Sequence, residues 1–158
     1  MIQAGLRSVI DRINEYIEVM ENNLTSHLPK DSYDLIDILP LPIDPQGGKF
    51  AEVQKYLLRK PKKVAKRFAG FFLKLYCYHD LEIDFNTKEY VNPKPKKLVR
   101  LIEEAVTKDL MLQIRTGQTD FLITGSDLYI TVYGLEYTED LIRAVADSEG
   151  LFIRSRTL

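Results

Sequence analysis

An α+β fold is what this sequence predicts, with N-terminal helices packed on a C-terminal antiparallel meander that a helix and a fourth strand follow, in the order β-β-β-α-β. Three observations carry that expectation. Apolar residues recur at helical spacing over residues 2–24 and 61–78. Two Gly-X pairs, Gly117-Gln118 and Gly125-Ser126, punctuate an alternating stretch at 110–134. Thr138 then opens a further helical period, which Gly150 closes.

Taken in order, residues 2–24 place Ile2, Leu6, Val9, Ile13, Ile17, Met20 and Leu24 on one stripe, opposite a face with Arg7, Asp11, Glu15, Glu18 and Glu21. That pattern predicts a long amphipathic helix packing on its own domain. Residues 31–49 are the least regular part of the chain. A short apolar element at 33–39 gives way to PLPIDPQGGK, whose prolines and glycines make an extended surface connection. Phe50, Val53, Tyr56 and Leu57 mark a short helix up to Lys60-Pro61.

From Pro61, which suits a first helical turn, Val64, Phe68, Phe71, Phe72 and Leu75 share one face, and Lys62, Lys63, Lys66, Arg67 and Lys74 the other. This helix is expected to be wet and cationic at its start and enclosed toward its end. Residues 81–91 alternate around Asn86-Thr87, as in a small hairpin or irregular strand, and 95–108 form a helix with Leu98, Leu101, Ile102, Ala105 and Val106 inward.

The two glycine pairs predict the register of the meander. Across the first, Ile114 faces Phe121 and Leu112 faces Ile123; across the second, Ile123 faces Leu128 and Phe121 faces Ile130. All are apolar on one face, whereas a one-residue slip would exchange the faces. A helix with Leu141, Ile142, Val145 and Ala146 inward follows, then a fourth strand at 151–154.

Composition sets the bounds on function. With 158 residues and 45% apolar content the chain is long enough to bury a core without metal or disulfide staples, so a single domain spanning 1–158 is expected. No apolar run approaches the roughly 18 residues that cross a bilayer, which argues against a membrane protein. The one cysteine, Cys77, fits a reducing, cytoplasmic setting. The net charge of −1 conceals a segregation: residues 1–54 carry four Lys/Arg and nine Asp/Glu, 55–100 thirteen and four, and 101–158 five and ten. A basic middle between acidic flanks suits internal compensation or an acidic partner.

Candidate site residues follow from the meander's second face. Arg115, Asp120, Leu122, Tyr129, Thr131 and Tyr133 make it semi-polar and aromatic, with Arg115 opposite Asp120 and Leu122 opposite Tyr129. Tyrosine brings apolar area and a hydroxyl at small entropic cost, so these six residues are read as a protein-binding surface. The alternative is nucleic-acid binding through the basic segments 55–67 and 94–100, with Lys62, Lys63, Lys66 and Arg67 in one group and Lys96 and Lys97 in a second around the Pro93-Pro95 turn.

Enzyme signals are sparse. His27, His79 and Cys77 make no metal-ligand spacing, so no metal and no cofactor is expected. Glu82 and Asp84, two apart on a strand, share a face and form the one carboxylate pair for a metal-dependent phosphate-ester hydrolase. The functional expectation is therefore a non-catalytic cytoplasmic interaction module, with nucleic-acid binding and hydrolysis as alternatives. Self-association, through the last strand or the first helix, is compatible with each.

Overall fold

Alternating apolar and polar residues build one antiparallel sheet of seven strands. Its spatial order is β3-β2-β4-β5-β6-β1-β7. The strands are β1 (Ser32–Asp37), β2 (Glu82–Phe85), β3 (Lys88–Val91), β4 (Met111–Thr116), β5 (Thr119–Thr124), β6 (Tyr129–Tyr133) and β7 (Phe152–Thr157). Among the described residues of the second unit, 32–158, four α-helices accompany them: α1 (Phe50–Leu58), α2 (Pro61–Tyr76), α3 (Pro95–Thr107) and α4 (Glu139–Ser148). The computed structural model describes residues 13–14, 32–44, 46–125 and 127–157, and the chain divides into two units, 1–31 and 32–158. Ile13 and Asn14 are helical; the rest of the helix expected at 2–24 lies outside the described residues.

The fold is α+β, but the expected strand order is corrected. β7 does not pair with the meander. β1 lies between β6 and β7, with Ile36 opposite Ile130 on one side and Ile153 on the other. Residues 33–39 read only as an apolar element because Leu35 and Ile36 are both buried, on opposite faces, which removes the clean alternation of a half-exposed strand. The covering layer is also corrected. Among the described residues, α2, α3 and α4 cover one face of the sheet, so α4, which follows the meander, shares the layer expected of N-terminal helices alone; all their buried residues join one cluster with the strands, and the packing expected of 2–24 lies outside the described residues.

At the centre of that cluster Phe71, Phe72 and Phe121 meet edge to face, with ring centroids 5.0–5.8 Å apart. The five apolar residues read as the inward face of α2 are all buried. In α1 none is; Phe50 and Leu57 pack partly on the core, while Val53 and Tyr56 are exposed.

The two glycine-led reversals differ. Gly117 sits at φ +55 in a two-residue turn, so Thr116 pairs with Thr119, and Ile114 with Phe121, as expected. After Gly125 the register is displaced by two from expectation, and Ile123 pairs with Ile130 and Phe121 with Val132. Gly125 is needed for another reason: a Cβ there would lie 2.3 Å from the Ala105 carbonyl oxygen at the end of α3. The connection is lengthened to pass that helix. A displacement of two leaves every side chain on its original face.

The Asn86-Thr87 reversal joins β2 and β3 as a hairpin, with both residues at positive φ. Helices α3 and α4 end alike, with Leu110 N–H donating to Ala105 O and Leu151 N–H to Ala146 O, around Asp109 and Gly150 in left-handed conformations. Thr138 precedes α4, but its side chain makes no cap; the hydroxyl lies 3.3 Å from Thr119 Oγ1 instead.

Candidate functional site

Strand alternation sends one set of residues into the helix-covered core and the other set to the second face. Among the described residues, no helix contributes a buried side chain to that second face. The strand pairings arrange it in rows. One runs Val91, Glu82, Arg115, Asp120, Tyr133, and the next Glu89, Asp84, Gln113, Leu122, Thr131, Leu35, Arg154. A third joins Tyr129, Asp37 and Phe152.

Arg115, Asp120, Leu122, Thr131 and Tyr133 are thus close neighbours, all half-buried, with Arg115 opposite Asp120 as expected. Leu122 lies opposite Thr131 rather than Tyr129, because of the two-residue displacement after Gly125. Tyr129 stands further along β6, beside Asp37. Tyr33 and Tyr133 approach with ring centroids 6.0 Å apart. Burial raises the Tyr133 phenol above its ordinary pKa, and Tyr33 adds to the shift.

At one end of the face the Arg115 guanidinium lies 3.1 Å from Asp84, 3.4 Å from Glu82 and 3.9 Å from Glu89. Alternation does bring Glu82 and Asp84 to one side. The position a divalent cation would take between them holds the Arg115 side chain, and among the described residues no group of three metal-ligating side chains forms.

At the other end, Asp37 pairs with Arg154, 117 positions away, and its side chain is only 4% exposed. Its other oxygen accepts the Leu39 N–H at 2.9 Å, fixing the turn that ends β1. Arg154 Nε is buried without a hydrogen-bond partner. Asp127 stands nearby and accepts a hydrogen bond from the Tyr129 hydroxyl. Desolvation nevertheless raises its carboxyl above the usual range, and Asp109 adds to the shift. These groups line a cleft of about 460 Å³, walled by Leu39, Pro42, Ile43 and Phe50.

The basic residues fall in two groups, as their positions in the sequence suggest. Lys62, Lys63, Lys66 and Arg67 are exposed at the start of α2. Lys96 and Lys97 begin α3, which starts beside the far end of α2, where the Tyr76 hydroxyl donates to Pro93 O at 2.9 Å. Helical rise alone, about 1.5 Å per residue, separates Lys63 from that end by roughly 20 Å. Lys96 is exposed, whereas the Lys97 ammonium lies 5.2 Å from the centroid of the Tyr90 ring. Cys77 and His79 end α2 without meeting in a nucleophile pair: Cys77 Sγ lies 3.5 Å from Leu73 O, and the His79 N–H donates to Leu75 O.

Sequence reading did not single out Asp37 and Arg154. A carboxylate closing an apolar run and an arginine within an alternating strand were the available signals, but they name no partner. Comparison with protein-family models, curated proteins and solved structures finds no match.

Proposed function

We propose that this chain is a non-catalytic protein-interaction module whose contact surface is the second face of the sheet, centred on Arg115, Asp120, Leu122, Thr131 and Tyr133, with Tyr129 at its margin. The observation that carries this reading is the division of labour between the faces. Helices α2, α3 and α4 send every buried residue to one side, while the other presents mixed aromatic, aliphatic and paired charged groups, with Met111 and Phe152 exposed beside them. Recognition surfaces combine apolar area with directional polar groups in this way. The residues that α2, α3 and α4 bury are all apolar, and the Glu82/Asp84 pair is engaged by Arg115.

Native mass spectrometry of gently purified protein tests the proposal. A retained protein partner is expected, and it is lost in Leu122→Arg and Tyr133→Ala variants whose circular dichroism is unchanged. A chain that carries no protein partner, or a partner indifferent to both substitutions, overturns it.

One observation favours a second reading, nucleic-acid binding at the start of α2. Among the described residues, Lys62, Lys63, Lys66 and Arg67 make no ion pair, so their charge is not offset locally. Titration with labelled oligonucleotides at two salt concentrations decides it, since phosphate contacts weaken steeply with salt.

A further inference from the structure

The cleft at the Asp37 end of the sheet has a chemistry of its own. Its volume of about 460 Å³ falls within the roughly 300–1,000 Å³ of small-molecule sites. It is several side chains in size and concave, unlike the adjoining sheet face. One wall is aliphatic and aromatic, formed by Leu39, Pro42, Ile43 and Phe50; the other carries Asp127 and Tyr129. The charges do not cancel completely. Among the described residues, Asp37 and Arg154 neutralise each other and Asp127 makes no ion pair, while Asp109 adds to the negative potential around it. A single carboxylate is too few oxygens for a calcium or magnesium ion, and an anion would meet repulsion. The complementary ligand is an organic cation with an apolar body.

We propose that this cleft binds a small free alkylamine, its ammonium group at Asp127 and its chain along Leu39, Pro42, Ile43 and Phe50. Phe50 and Tyr129 line the same cavity, and aromatic side chains commonly accompany a carboxylate in ammonium recognition. Tyr129 is shared with the margin of the proposed contact surface, but the two readings are tested apart, since Leu122 and Tyr133 lie outside the cleft and Asp127 lies outside that surface.

Titrating full-length protein with hexylammonium, 1-hexanol and hexanoate, followed by amide NMR, tests the assignment. Hexylammonium is expected to move the resonances of residues 39–50 and 127–129 saturably, with hexanol about tenfold weaker and hexanoate weaker still. Asp127→Asn is expected to reduce hexylammonium affinity about tenfold. Should that variant fail to fold, the three-ligand series on the wild-type chain decides the matter unaided. Equal binding of amine and carboxylate, shifts confined to other residues, or an unchanged affinity in a folded Asp127→Asn chain overturns the proposal. So does tighter binding of Nα-acetyl-lysine methylamide, which would make the ligand a protein side chain.

Discussion

Alternate residues of the same strands finish the two faces of this sheet in opposite ways. Toward the helices, Ile83, Ile114, Phe121 and Val132 meet apolar side chains and are fully buried. On the second face, charged groups do much of the ordering, by Arg115 among three carboxylates and by Asp37 against Arg154. The difference shows that strand alternation assigns residues to faces but not the means by which each face is held. Packing dominates where a helix excludes water, and pairing matters where, among the described residues, no helix lends apolar side chains to the face.

The largest expected contrast lies between adjacent residues of β5. Phe121→Ala removes a fully buried ring that touches Phe71 and Phe72, and is expected to cost about 3–5 kcal/mol. Leu122→Ala, half-buried on the other face, is expected to cost roughly 1 kcal/mol, and urea unfolding of the two variants measures the gap. Comparable losses would mean that the second face is packed as a core too.

Asp37 is where the second face should come closest to the first. Asp37→Ala removes both the Arg154 pair and the Leu39 turn bond, with an expected loss of about 2–4 kcal/mol. Asp37→Asn retains an acceptor for Leu39 and should lose less, so its loss relative to wild type reports the charge and the difference between the two variants reports the turn bond. A smaller effect is expected from Arg115→Met. Its acidic partners are partly hydrated, so the loss is about 1 kcal/mol or less and shrinks as salt is added.

The smallest effect is one of pH. The folded state holds the Asp127 proton more tightly than the unfolded chain does, because desolvation raises its carboxyl. Its contribution is therefore fully present below the unfolded pKa and is lost as pH rises through the raised folded value. Stability should decline slightly across that window, and Asp127→Asn should remove the decline. Thermal melts in matched buffers from acidic to neutral pH measure it.

Much of the fold was legible because its signals are local. The inward face of α2, the helix at 95–108 and the Gly117 turn follow from spacing and backbone freedom within a few residues. The connection after Gly125 was not, because the glycine answers to Ala105 at the end of a preceding helix rather than to its own turn. Five of the six residues assigned to the candidate face stay together despite that error. A two-residue displacement preserves facing, so Arg115, Asp120, Leu122, Thr131 and Tyr133 still lie together while Tyr129 moves away from Leu122.

Periodicity and turn chemistry thus settle which way a residue looks, since both act over a turn or a pleat. They do not settle which distant strand lies alongside. The insertion of β1 between β6 and β7, the joining of Asp37 to Arg154 across 117 positions, and the cleft beside them arise from long-range packing. Those contacts come from segments whose local patterns carry no record of one another, and they form only when burial of the shared core brings the segments together.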